Sequence, residues 1–347
     1  TDSLKASLPY FAVMAVYMLI RLQIVAPMSE DSSKDILNNP YALASEAQEL
    51  ATKISTTLNY LKLLVFPHPL SADYSYNTIP YKDVTDPIVW LSLGVHIALF
   101  RAFFYYLKRR HLLSFAIAFY FINILLICNI IFNIGGTMGE RLAYHSSVGF
   151  CIAVAYFLVK GMERLQPAAT GRVALVGCLL VIVGLCSFKT IDRNKYWKND
   201  YTLFFEDIKV CPNSVLVNAD VASSYVNMAD LYKDSTQREH SIRQGIKYFS
   251  KAIEINPAFV SGYVNRGMAY FKLKQPDSAY YNLRKVWELY PRYPKLDELL
   301  FNVGVNFYVQ QRYPEAINAW QTCLKVTPNY PQAVNAMNVM YKEGRIR

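Results

Sequence analysis

The sequence is poor in the usual signatures of a soluble enzyme. It has no CxxC pair, no zinc spacing, no nucleotide-type glycine loop and no nucleophile elbow. Those absences remove the standard routes to a bound metal, a nucleotide or a serine nucleophile. The six cysteines stand apart, with Cys128, Cys151, Cys178 and Cys186 in apolar stretches and Cys211 and Cys323 on repeat helices, and read as small core residues. Like charges never run five together, so nucleic acid is not an expected partner despite a net charge of +10. There are 21 asparagines but no Asn-x-Ser/Thr acceptor, where composition alone would give about two.

What the chain does have is a change of character near Thr190. Upstream lie about five stretches long enough to cross a bilayer, which needs about 20 apolar residues: Leu8–Ala26, Pro87–Leu107, Leu112–Ile134, Val148–Val159 with its flanks, and Val173–Phe188. Downstream, Pro257, Pro291 and Pro328 close successive helical units. The expected fold is therefore all-α, with a polytopic transmembrane domain over 1–191 and a repeat solenoid over 192–347. Because the chain opens on Thr1 and has no signal peptide, it is expected to be the carboxy-terminal part of a longer protein.

Lysine and arginine set the orientation. Lys108, Arg109 and Arg110 share one side with Lys160, Arg164 and Arg172 if the spans alternate, and basic loops stay in the cytoplasm. Segment 27–86, loop 135–147 and everything after Lys189 then face outward. Within 27–86, Leu43, Ala47, Leu50, Ile54, Leu58, Leu61 and Val65 recur at helical steps. This spacing predicts an amphipathic helix lying on the outer membrane surface. The proline-rich stretch Phe66–Asn77 that follows is neither a helix nor a central strand.

In the second half, Tyr263, Gly267, Tyr270 and Ala279 precede Pro291 at the same offsets as Leu300, Gly304, Phe307 and Ala316 precede Pro328. This is the tetratricopeptide pattern, with small residues where paired helices approach. A unit ending at Pro257 is expected to carry a longer turn at 233–240, a half-unit at 196–212 leads in, and 331–347 reads as a capping helix. Such arrays offer a groove for an extended peptide or a partner protein.

Loop 135–147 is the strongest chemical candidate. Arg141 beside a helix start capped by Ser146 or Ser147 would hold a phosphate at the outer surface; equally, Glu140 and Arg141 pair with each other in a plain turn. His68 and Asp73 suit an outward site, or else belong to a rigid proline turn. Asn123, Asn129 and Asn133 are expected to make interhelical hydrogen bonds. Arg21, near the outer end of its span, is placed to touch a lipid phosphate.

Tyr60–Asn77 and Gly139–Cys151 together resemble the transmembrane and tetratricopeptide-repeat-containing O-mannosyltransferases and their bacterial relatives. Asn39-Pro40, Trp197 and Cys211-Pro212 extend the resemblance, while His145-Ser146 departs from the Leu-Pro of the family. The resemblance implies a C-type glycosyltransferase that moves a mannose-like sugar from a polyprenyl-phosphate carrier to Ser/Thr of exported proteins, with no covalently bound cofactor. It implies Glu140, Arg141 and Tyr144 as the carrier-phosphate corner and His68, Asp73, Tyr74 and Tyr76 on the acceptor side. An acidic base is expected in a loop before Thr1. The expected partners are the membrane lipid carrier and an acceptor protein in the repeat groove. The missing sequon points to a bacterial inner membrane with periplasmic repeats, the alternative being an endoplasmic reticulum with lumenal repeats. A non-catalytic membrane scaffold that recruits a secretion or surface-assembly partner is the competing reading, and a transporter ranks behind both.

Overall fold

The computed structural model of the chain describes residues 2–24, 35–131, 133–165 and 167–345, with side chains in the first segment from Leu8 to Ile20. Among the described residues there are fourteen α-helices and no strand. The membrane half comprises α1 (Asp2–Ile24), α2 (Glu46–Val65), α3 (Pro87–Lys108), α4 (Leu112–Ile127), α5 (Tyr144–Met162) and α6 (Ala168–Asn194).

Among the described residues, three segments are long and apolar enough to cross a membrane: Pro87–Lys108, Glu140–Met162 and Ala168–Asn194. Their large side chains stay uncovered by protein, as at Val173, Leu180, Leu185 and Phe188. Apolar surface on this scale needs hydrocarbon around it. The chain is therefore membrane-associated. Two further apolar helices are shorter, Leu8–Ile20 and Leu112–Ile127.

The expected span Leu112–Ile134 ends early. At 16 residues, α4 reaches only about 24 Å. It stops because Asn129 adopts a left-handed backbone (φ 61°) and turns its amide onto the following loop. The expected interhelical role of the asparagines is not met. Asn123 Nδ2 donates to the Phe119 carbonyl in its own helix at 2.8 Å, and Asn133 Nδ2 donates to Asn39 Oδ1 at 3.3 Å.

Neighbouring helices pack in sequence order, α2 on α3, α3 on α4, α4 on α5 and α5 on α6. Gly149 permits a close approach of α5 to α4, since a Cβ there would run into the Ala116 carbonyl of α4. His111 caps α4 by accepting from Leu113 N, and its Nε2 lies 3.0 Å from the Tyr156 hydroxyl of α5. The α3–α4 turn thus sits at the end of the bundle away from loop 133–142.

The amphipathic helix is α2, and its polar face is the one that packs. Ser45 begins it with a capping box to Gln48. Thr52, Ser55, Thr56, Thr57 and Tyr60 are buried, while Leu43, Leu50 and Val65 are exposed. Thr52 Oγ1 accepts from Lys82 N at 2.8 Å, and the Thr57 and Ser92 hydroxyls meet at 3.1 Å. A helix that hides its hydroxyls against protein and leaves Leu50 and Val65 uncovered suits a membrane surface.

Beyond α6, a short turn Tyr196–Lys198 leads to α7 (Asp200–Val210). Helical hairpins follow: α8 (Val215–Ala229) with α9 (Ser235–Ile255), α10 (Val260–Lys272) with α11 (Pro276–Leu289), and α12 (Leu296–Val309) with α13 (Tyr313–Val326), then α14 (Pro331–Lys342). The small positions do what their spacing implies. Ala279 and Ala316 are fully buried, and any Cβ on Gly304 would strike the Trp320 indole. The expected long turn at 233–240 is a shorter one, because Asp234 Oδ1 caps Gln237 N at 2.8 Å and α9 starts at Ser235.

Candidate functional site

The end of α4 shapes the site. Asn129 Nδ2 donates to the carbonyls of Gly136 (2.9 Å) and Thr137 (3.2 Å), and its Oδ1 accepts from Ile134 N at 2.8 Å. One buried amide side chain therefore folds 134–137 back on itself. The Tyr60 hydroxyl of α2, fully buried, accepts from Gly139 N at 3.1 Å. A 3₁₀ turn, Glu140–Ala143, then runs directly into α5. Ser146 and Ser147 do not cap that helix as expected. Their hydroxyls donate back to the Ala143 and Tyr144 carbonyls instead.

The proline-rich segment is clamped from both halves of the chain. Glu140 Oε1 accepts from Ser71 N at 2.7 Å and from the Tyr74 hydroxyl at 2.6 Å. Asp207 Oδ2 of α7 accepts from the next amide, Ala72 N, at 2.8 Å. Two carboxylates, one from the membrane half and one from the repeat half, thus take consecutive backbone N–H groups. Asp207 is buried and pairs through Oδ1 with Arg193 at 2.7 Å, near the end of α6. Asp73 Oδ2 adds a third tie, accepting from Ser75 N (2.9 Å) and from the Ser214 hydroxyl (3.0 Å) that caps α8. Burial pushes the Tyr74 phenol far above its usual range, and the Glu140 carboxylate adds to the effect. Tyr74 therefore stays protonated and remains a donor.

Between these two loops lies a cavity of about 340 Å³. Leu37, Trp197 and Leu216 give it an apolar wall; Asp73, Tyr74, Glu140 and Arg141 give it a polar one. Arg141 is exposed and forms no ion pair among the described residues. Glu140 is occupied by Ser71 and Tyr74, so the alternative of a Glu140–Arg141 pair does not hold. The cavity carries an unpaired guanidinium beside an indole, where an anion with an attached ring would find both charge and a stacking face.

Other residues singled out from the sequence lie elsewhere. Tyr144 is 74% exposed, edge-on to His145, and is not part of the cavity wall. His68 faces α6, its Nδ1 3.1 Å from Lys189 Nζ. Tyr76 joins the halves: its carbonyl accepts from Val215 N at 2.7 Å and its ring packs on Tyr81. The side chain of Arg21 lies outside the described residues. Asp207, Arg193 and Ser214 were not visible as site residues. The partners of Asp207 stand 14 and 135 positions away, and the one cue was an acidic residue amid the apolar positions of a short helix.

No protein-family model matches the chain. Protein O-mannosyl-transferase Tmtc3 of Drosophila melanogaster is 24% identical over 305 residues, 82% of this chain and 31% of the relative. Protein O-mannosyl-transferase TMTC3 of Mus musculus is 23% identical over 306 residues, 80% of this chain and 31% of the relative. The human TMTC3 protein is 24% identical over 217 residues, 59% of this chain and 22% of the relative. The chain's homologues are thus TMTC-type protein O-mannosyl-transferases, and it spans at most about a third of their length. Among solved structures, the crystal structure of MamA aligns with a TM-score of 0.33 and 16% identity over 42% of this chain and 77% of that one.

Proposed function

We propose that this chain is part of a membrane protein O-glycosyltransferase that takes a mannose-like sugar from a polyprenyl-phosphate carrier. Arg141 in the cavity carries the reading. A phosphate leaving the anomeric carbon develops charge, and a fixed guanidinium with two parallel donors stabilises it. Glu140 and Tyr74 act as positioning residues that hold segment 69–75 against the Arg141 loop. The acceptor Ser/Thr hydroxyl enters from the repeat side, past Trp197 and Leu216, and the repeats dock the acceptor protein. The 108–111 and 160–172 loops face the cytoplasm and the repeats face away from it. The missing sequon favours a bacterial periplasm over an endoplasmic reticulum lumen.

A second reading rests on the spent carboxylates. Asp73 and Asp207 serve hydroxyl and backbone donors that fasten the membrane half to the repeats, and Glu140 ties the two loops of the membrane half together, as suits a scaffold. Arg141→Ala in the full-length protein separates the two. With no ion pair to lose, it should keep its melting temperature, yet lose carrier-lipid binding and about a hundredfold of sugar transfer. Arg141→Lys restores charge without the fork and should recover only part. Undiminished carrier binding by Arg141→Ala would leave the scaffold reading.

A further inference from the structure

We infer that a second cleft, on the membrane side of the proline-rich segment, seats the phosphate of an anionic phospholipid between Lys189 and His68. It does not depend on the transferase reading. The cleft holds about 380 Å³ and lies between the end of α2 and the last apolar turns of α6. Its walls are hydrocarbon: Phe66 and Pro67 on one side, Ile182 and Leu185 on the other. Phe66, just past the end of α2, is 61% exposed, and Leu185, on the span α6, is 66% exposed.

The mouth of the cleft is cationic. Lys189 follows directly on the apolar run Val173–Phe188, at the depth where hydrocarbon gives way to head groups and a lysine turns its ammonium outward. Its Nζ lies 3.1 Å from His68 Nδ1. With Nδ1 accepting from the ammonium, the neutral imidazole keeps its proton on Nε2, a free donor for a phosphate oxygen. No carboxylate lines the cleft, and Lys189 forms no ion pair among the described residues. Arg193, one turn on, is taken by Asp207. An unneutralised ammonium and a ring N–H above an apolar slot complement one kind of occupant, a phosphate head group carrying acyl chains.

Such a lipid would also explain why the end of α2 stands where it does. Val65 and Phe66 line the cleft opposite Ile182 and Leu185 of α6, so a lipid chain would complete their packing and fasten the surface helix to the span.

The purified full-length protein in neutral detergent, titrated with phosphatidylglycerol and read by native mass spectrometry, provides the test. The intact protein should retain one phosphatidylglycerol at least about tenfold more tightly than phosphatidylcholine. Lys189→Gln combined with His68→Ala should abolish that preference while circular dichroism stays unchanged. Lys189→Arg should keep it. Leu185→Glu, which spoils the slot and leaves both donors, should lose it as well. Equal retention of the two lipids, or a preference that survives the double variant, overturns the proposal. So does polyprenyl phosphate displacing phosphatidylglycerol at equal concentration with the same residue dependence, which would assign the cleft to the carrier instead. Displacement by inorganic phosphate alone would also overturn it, since the slot would then contribute nothing.

Discussion

The Tyr74 hydroxyl donates a 2.6 Å hydrogen bond to Glu140 Oε1, across 66 residues of chain. The same oxygen accepts from Ser71 N, so one carboxylate fixes the proline-rich segment at two points. This contact brings the two sequence motifs face to face and leaves Arg141, the next residue, free to look into the cavity.

Tyr74→Phe should therefore loosen the segment without emptying it. A charge-assisted hydrogen bond from a half-buried hydroxyl contributes about 1.5–3 kcal/mol. The melting temperature should fall by a few degrees, and transfer should fall modestly because the Arg141 loop is held less firmly. A detergent-solubilised melt compared with Glu140→Gln checks this. If Tyr74→Phe melts like the unaltered protein, the contact is not a clamp.

Asp207 is the more severe position. Replacing it with alanine strands a buried guanidinium at Arg193 and an unmatched Ala72 N–H, a loss of about 3–5 kcal/mol. The lead-in helix should then part from the membrane half, opening 69–75 to protease. Arg193→Ala with Asp207→Ala should cost clearly less than the two single losses added together. Limited proteolysis and melting on all three variants give the comparison, and strict additivity would refute the pairing.

Asp220 on α8 gives a pH-dependence. Burial, with the nearby carboxylates of Asp73 and Asp200, raises its pKa from 3.8 to about 6. An acid whose pKa is higher folded than unfolded binds more protons in the folded state, so stability declines as pH rises between those two values. Asp220→Asn should remove the decline and gain about 1–2 kcal/mol at pH 7, allowing for solvent screening. The gain should shrink toward pH 4. A constant gain at both pH values would mean that the titration of Asp220 is not its source.

Orientation is open to direct labelling, though not at the native thiols of the repeats. Cys211 and Cys323 are buried. Lys325 and Arg164 are exposed, so Lys325→Cys should react with an impermeant maleimide from the outward side of sealed membranes and Arg164→Cys only after they are opened. The reverse pattern would invert the topology.

Much of the fold was legible because helices report themselves through local spacing. Gly267, Gly304, Ala279 and Ala316 recur at fixed offsets, and close helix pairing needs small residues there whatever surrounds them. Three membrane spans declared themselves by length, while Leu8–Ile20 and Leu112–Ile127 are shorter, the second because one buried side chain overruled composition. Apolarity continues past Ile127, and only Asn129 bonding to Gly136 and Thr137 shows that the helix has stopped. Within loop 135–147, residue types alone left Glu140 free to pair with Arg141. The choice fell to Tyr74 and Ser71, far away in sequence, once folding brought them to the same oxygen.

By itself, then, the sequence determined the all-helical class, the repeat architecture and the two motif segments, because each follows from short-range periodicity and composition. Tertiary structure decided which motif residues share a cavity. It placed Asp73, Tyr74, Glu140 and Arg141 around one space and sent His68 to a separate cleft with Lys189. The physical reason is that hydrogen bonds and ion pairs act over about 3 Å, whereas their partners here lie 66 to 141 positions apart, a distance at which residue spacing carries no information.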